Sequence, residues 1–322
     1  MKVLKSSSDR ALFKNISGAF MFKGLGMFLS FFSLPIYMGF FENKLVLGVW
    51  FTILSTSNWI FMFDVGIGNG LRNCLTREFV RGDKQRIKTY ISSAYIMITV
   101  IALVLLGIGT IVLGYVDWNN FFNISESVVD KATLATTVKI IYIGIILQFI
   151  FKVIIYILYA LQKSAVNNMI AFLTSLFQFL AVLILPSSTI SENLIRLAIV
   201  FVVSSNILYI VVTLVVFRDE HLKGCGVSLK HFEKEAATKT INIGVLFLWT
   251  QILHLLILLT DDYLVAKFTS PKYEVYFSIY YRLFSMAGTV FALALTPVWS
   301  AVTKAQEERD YLWLKKIYKT AN

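Results

Sequence analysis

Five basic side chains interrupt runs of aliphatic and aromatic residues: Lys23, Lys139, Lys152, Arg196 and Arg282. A charge deep in a membrane helix costs about 2.5–3.5 kcal/mol on insertion scales, so each of them needs a reason. Acidic residues in the same runs are fewer, Asp64 and the adjacent Asp261 and Asp262, and no glutamate falls among them. Lysine and arginine are the usual partners of phosphate oxygens. A shared chamber with mainly positive walls therefore favours an anion, and one for cationic solutes would need the opposite sign. A partly buried carboxylate such as Asp261 or Asp262 can change protonation or ion occupancy as its surroundings alternate, which is the chemistry of H+ or Na+ coupling.

Alternatives stand beside these readings. Lys139 and Arg196 either serve the chamber or snorkel to the outer headgroups. Asp261 and Asp262 are either coupling groups or a solvated helix end. Lys23, Lys152 and Arg282 lie about seven or more residues, roughly 10 Å, from the nearest expected helix end, where snorkelling is harder. Small and polar residues also recur at three- and four-residue steps: Lys23, Gly26, Ser30, Ser33 and Tyr37; Arg196, Val203, Asn206 and Thr213; Gly244, Gln251, His254 and Asp261; Ser278, Arg282, Ser285, Thr289, Ala292 and Thr296. Such stripes share a helix face and are expected to line a hydrated cavity, the alternative being close helix packing.

Other patterns carry less. Gly66-x-Gly68-x-Gly70 has the wrong spacing and context for a nucleotide loop and reads as a tight turn at a helix exit. His221, Cys225 and His231 lack a fourth metal ligand and familiar spacing, so no metal or cofactor is expected. Asn123-Ile-Ser125 fits a glycosylation acceptor, a pattern short enough to arise by chance. No nucleophile with a base partner is evident, and the longest expected outer loop, 116–133, is too short for a catalytic domain, so an enzyme is disfavoured.

The elements that must position these side chains are transmembrane helices. Of 322 residues, 57% are hydrophobic and 15% charged, and the mean hydropathy is +0.71; a span needs roughly 20 apolar residues. The expectation is an all-α polytopic membrane protein of about eight spans, at 16–38, 45–66, 89–115, 134–160, 167–186, 193–217, 240–266 and 274–300. The first is read as an uncleaved span, not a signal peptide. With the N-terminus cytoplasmic, 21 lysines and arginines fall in cytoplasmic segments and four, Lys44, Lys131, Lys267 and Lys272, fall outside. The net charge of +11 thus reflects topology and not nucleic-acid binding. Cys74 and Cys225 both fall on the cytoplasmic side, and no structural disulfide is expected between them.

A weak internal repeat sets Leu47-Gly-Val-Trp-Phe-Thr-Ile53 against Tyr273-Glu-Val-Tyr-Phe-Ser-Ile279, with Arg81-Gly-Asp83 echoed by Glu308-Arg-Asp310. Chance between apolar helices is the alternative, but the shared order of helix, helix and basic amphipathic segment favours duplication. The expected organisation is a six-helix lobe over 1–218, a cytoplasmic linker over 219–239, the first two helices of a second lobe over 240–300 and a basic amphipathic segment over 301–322. A chain so organised is a fragment of a longer transporter or a shortened member.

Phe63-Asp-Val-Gly-Ile-Gly-Asn-Gly-Leu-Arg72, with the basic stretch through Arg81-Gly-Asp83 to Lys88, resembles the first cytoplasmic loop of bacterial polysaccharide-transport flippases (Wzx-type, of the O-antigen, capsule and exopolysaccharide systems). Their superfamily also holds multidrug exporters and the peptidoglycan-precursor flippase. Gln251 to Asp261, Tyr276-Phe-Ser-Ile-Tyr-Tyr-Arg282 and Pro297 before a basic tail ending Lys315-Lys316 are similar to that family too. The resemblance covers the chain with loose motifs. It implies two lobes of twelve or more spans in all, alternating access, and translocation of a polyprenyl-pyrophosphate-linked oligosaccharide across a bacterial cytoplasmic (inner) membrane for surface polysaccharide (lipopolysaccharide or exopolysaccharide) synthesis. It matches Lys23 and Arg282 to cavity cations that bind the pyrophosphate, with Lys152 and Arg196 assisting and Asp261 and Asp262 as the H+ or Na+ coupling candidates. The implied partners are the lipid-linked oligosaccharide, membrane lipids, and a polysaccharide polymerase and glycosyltransferases. The rival expectations are a multidrug or cation exporter, which calls for acidic residues in the first lobe's cavity, and a non-transporting scaffold subunit.

Overall fold

The computed structural model describes residues 7–41, 43–62, 66–186, 188–268, 280, 284, 288, 292, 295 and 297–321. The described elements are helical: α1 (Ser7–Phe41), α2 (Lys44–Met62), α3 (Ile67–Arg81), α4 (Lys84–Tyr115), α5 (Trp118–Phe121), α6 (Lys131–Phe151), α7 (Val153–Ala160), α8 (Ala165–Ile184), α9 (Ile190–Val216), a 3-10 turn (Leu229–His231), α10 (Lys234–Phe268) and, after a helical stretch over 297–307, α11 (Tyr311–Ala321). In hydrocarbon each backbone N–H and C=O must be satisfied within its own segment, and helices do this.

Four helices, Lys84–Tyr115, Lys131–Ala160, Ala165–Ile184 and Ile190–Val216, are long and apolar enough to cross a membrane, and a bent pair at Phe13–Ser30 and Pro35–Phe41 forms a fifth candidate. These agree with expected spans one and three to six. The fourth is broken at Lys152, which caps both α6 and α7. Expected span two corresponds to α2 and span seven lies within α10, whereas most of span eight falls outside the described residues. The spans begin where side chains cap them: Asp83 accepts from the Arg86 N–H, Asp130 from that of Thr133 and Thr189 from that of Glu192.

α1 packs along α8 and α6 along α9, with α4 against α6 and α8 against α9. Glycines let these backbones approach. A Cβ at Gly144 on α6 would overlap the Val202 side chain of α9, one at Gly18 would lie 3.0 Å from Ala165 of α8, and one at Gly109 would strike the Tyr142 ring. Two apolar layers result, one around Trp50, Leu134, Ile145 and Leu197 and the other around Leu75, Ile91, Ile154 and Leu158. Between them runs a polar waist. Gln148 donates to the Ser205 carbonyl at 3.2 Å, Asn206 to the Gly144 carbonyl at 3.2 Å and Gln178 to the Ser204 hydroxyl at 3.1 Å. Polar side chains at such positions join helices by hydrogen bonds that lipid cannot replace. The outward face of α4, including Val100, Leu103, Val104, Ile108 and Ile111, is apolar and exposed, as acyl chains require.

One element departs from expectation. The stretch after Gly66, read as a tight turn at a helix exit leading into a basic amphipathic segment, is a 15-residue helix, α3, with Leu71, Arg72, Leu75, Thr76 and Glu78 buried. Gly66 itself makes the turn with φ +68°, a left-handed conformation that glycine adopts without strain. Packing requires the other glycines. A Cβ at Gly70 would overlap the Thr240 carbonyl of α10, and one at Gly68 would enter the Tyr156 ring. Gly70→Ala should lower stability by about 1–3 kcal/mol through overpacking. Gly107→Ala, where a Cβ meets nothing within 4 Å, should leave thermal unfolding in detergent unchanged or raise it slightly, helix propensity favouring alanine.

Candidate functional site

α3 brings a basic group into its junction with α7 and α10. Gly66 and Gly70, four residues apart, lie against Gly244 and Thr240 of α10, so one face of α3 is seated backbone to backbone. Gly68 and Arg72, also four apart, share the next face, towards α7. There Tyr156 covers Gly68, and Tyr159, one turn on, lies under the Arg72 guanidinium with its ring centre 4.9 Å from Cζ. The Trp299 ring lies 4.1 Å away, and Nη2 donates to the Ser300 hydroxyl at 2.5 Å. Arg72 is 2% exposed and Ser300 1%. Burial pulls the guanidinium down to about 10, with the Tyr159 phenol acting the other way, so it stays cationic at neutral pH.

Both rings are themselves held. The Tyr159 hydroxyl accepts from Asn167 Nδ2 at 2.6 Å, and Trp299 packs on Phe247 of α10 with centroids 5.1 Å apart. One turn and a residue beyond Arg72, Arg77 Nε donates to Glu307 Oε1 at 2.9 Å, a half-exposed pair whose hydrogen bond holds Arg77 above its usual value. Two residues of α3 thus grip the stretch 297–307. Asn15 of α1 donates to the Gln162 carbonyl in the α7–α8 turn, and Lys163 in that turn pairs with Asp219 at 2.5 Å, which holds the carboxyl below its usual range. The segment after α9 is fixed to α4: Arg86 pairs with Glu233 at 2.8 Å, and the Ser228 and Glu233 N–H groups donate to the buried Ser92 and Ser93 hydroxyls at 3.1 and 3.0 Å. An open cavity of about 640 Å³ lies among these segments, lined by Thr76, Val80, Lys163, Arg218, Lys304 and others. Its basic and acidic side chains, Asp219, Glu220 and Glu308 among the latter, are balanced.

The sequence-derived candidates lie elsewhere. Lys23 is exposed on α1, and Lys152 is half-buried at the α6–α7 break. Arg196 pairs with Glu192 at 2.9 Å and donates to the Pro186 carbonyl at 3.4 Å, near the start of α9. The first turns of α6 and α9 are level, since Ser191 donates to the Asp130 carboxylate at 3.0 Å. Lys152 and Arg196 therefore differ in depth by about 15 residues, roughly 22 Å along the axes, and do not converge. Arg282 and Asp64 lie outside the described residues, as do the side chains of His254, Asp261 and Asp262, whose backbones belong to α10. Two stripe residues face protein and not a cavity: Tyr37 is buried edge-on to Phe51, and Asn206 bonds α6. Among the described residues no group of three or more His, Cys, Asp or Glu could hold a metal.

Counting Arg72 among the cytoplasmic basic residues hid its burial. The Gly66 and Gly70 step marks a close helix contact beside it, but no feature of α3 marks Arg72 itself as buried. In a double-mutant cycle of Arg72→Met and Trp299→Leu, followed by chemical unfolding in micelles, the pair should couple by about 1–2 kcal/mol.

No family model matches the sequence, and no curated protein does. Solved structures match in fold. A MATE transporter in the straight conformation superposes with a TM-score of 0.73 at 14% identity, over 98% of this chain and 69% of that one. An outward-facing multidrug-resistance MATE transporter of the MOP superfamily gives 0.71 at 13%, over 95% and 67%. A MOP-superfamily transporter from Pyrococcus furiosus, described as having a binding pocket of reverse polarity that suggests a different function, gives 0.71 at 14%, over 95% and 67%. The chain has the fold of the MATE transporters of the MOP superfamily over about two thirds of their length.

Proposed function

We propose that this chain belongs to a multi-pass membrane transporter that carries an organic solute by alternating access, and that export of the multidrug kind is the first reading of its cargo. The observation behind this is the superposition on MATE transporters along 98% of the chain. Residues 1–218 act as one lobe, 219–239 as linker and 240–300 as the start of the second lobe. Asp261 and Asp262 of α10 are proposed as the groups that respond to H+ or Na+, and a bacterial cytoplasmic membrane as the site of action.

A specific observation favours a second reading. The charged residues within the first lobe's expected spans are mainly basic, Lys23, Lys139, Lys152 and Arg196 against Asp64, and a basic path suits the pyrophosphate of a lipid-linked oligosaccharide. Lys23, Lys152, Arg196 and Arg282 would then be its contacts, Arg196 acting at a different depth from Lys152.

Reconstituted protein decides between the two. Under an imposed proton or sodium gradient, proteoliposomes should export a lipophilic cationic dye, Asp261→Asn should cut the rate at least tenfold, and Lys23→Ala should leave it within about twofold. Absence of dye export, together with restored surface polysaccharide in a flippase-deficient strain that is lost in Lys23→Ala plus Lys152→Ala, would reverse the order of the two readings.

A further inference from the structure

We infer that Arg72 and Arg77 of α3 form a releasable latch that closes the cytoplasmic end of the transport path by gripping the helical stretch 297–307. The inference rests on the transporter reading for its role, and on the geometry at the junction for its existence.

Three observations carry it. First, α3 meets α10 backbone to backbone at Gly66 and Gly70 against Gly244 and Thr240, a close approach that no change of rotamer loosens. It belongs to the rigid part. Second, what α3 holds on its other side is held by side-chain tips: the Arg72 guanidinium against Trp299 and Ser300, and Arg77 against Glu307. These contacts can part without disturbing either backbone. Third, the stretch they grip forms one wall of a small recess, with Pro297 and Ala301 facing Asn15 of α1, Gln162 of the α7–α8 turn and Trp313 of α11. Movement of 297–307 away from α3 and that turn would widen the recess.

The partners suit repeated opening. Trp299 and Ser300 are themselves neutral, and a guanidinium that parts from them can be hydrated by water. The outer pair, Arg77 and Glu307, is already half in solvent. The inner contact therefore sets the seal, and the outer one guides closure.

Ala301, 8% exposed and facing the recess, reports the state of the latch. In the full chain carrying Cys74→Ser, Cys225→Ser and Ala301→Cys, in nanodiscs, a membrane-impermeant maleimide should label the new thiol slowly. Arg72→Ala should raise the rate at least tenfold and Arg72→Lys by less. Arg77→Glu should raise it severalfold, and Arg77→Glu with Glu307→Arg should bring it back. Because Arg72→Ala alone could unfold the junction, the charge-swap rescue is the second arm, read on protein that elutes as a single species. Labelling unchanged in both folded single variants, or faster in Arg77→Glu with no recovery in the swap, would overturn the latch. The assay uses no cargo: fast labelling in Arg72→Ala with no transport of any solute would keep the latch and remove the transporter reading, whereas transport with unchanged labelling would do the opposite.

Discussion

Two backbones touch where Gly66 and Gly70 meet Gly244 and Thr240, and the junction of α3 with α7, α10 and 297–307 is organised around that contact. Helices this close leave no room for side chains, so the flanking face of α3 must take up the larger groups, and Arg72 is the largest. A buried guanidinium loses hydration that a membrane protein cannot restore from lipid. Its recovery comes from what α7 and 297–307 offer, two aromatic faces and a hydroxyl. The glycines thus determine where the charge sits, and the charge determines which segments are drawn together.

Among α6, α8 and α9 the same economy appears in neutral form. Gln148, Gln178, Ser204, Ser205 and Asn206 form a waist between apolar layers, each amide reaching a neighbouring helix. A polar stripe along α9 is therefore not evidence for a wet cavity by itself. Exposed polar groups at helical spacing and interhelical hydrogen bonds leave the same sequence pattern, and only the facing helix tells them apart.

That ambiguity measures what could be read from residues alone. The spans were legible because twenty-residue apolar runs between polar loops follow from bilayer thickness, a local property. The turn at Gly66 was legible as well, from a glycine cluster at the exit of an apolar run. Arg72 was not. Its basicity argued for the cytoplasmic side, and basic loop residues are ordinarily solvated; nothing within α3 reveals Trp299, 227 positions further on. Arg196 shows the converse. Its place in an apolar run suggested a chamber, yet Glu192 one turn earlier offered an ordinary helical ion pair.

The segment before α10 gives the junction its asymmetry. Residues 228–233 are pinned to α4 by backbone N–H groups donating to Ser92 and Ser93 and by the Arg86 to Glu233 pair, so α10 starts from a fixed point on α4. Along α10 the fixed contact continues through Thr240 and Gly244, and Phe247 then supports Trp299. A helix held in this way through its first turns has its start fixed against α4 and α3. The stretch 297–307 meets both helices through side chains, Trp299 on Phe247 of α10 and on Arg72 of α3, and Glu307 on Arg77. Rigid contact on one side and separable contact on the other is the condition under which a small rotation becomes an opening at one end.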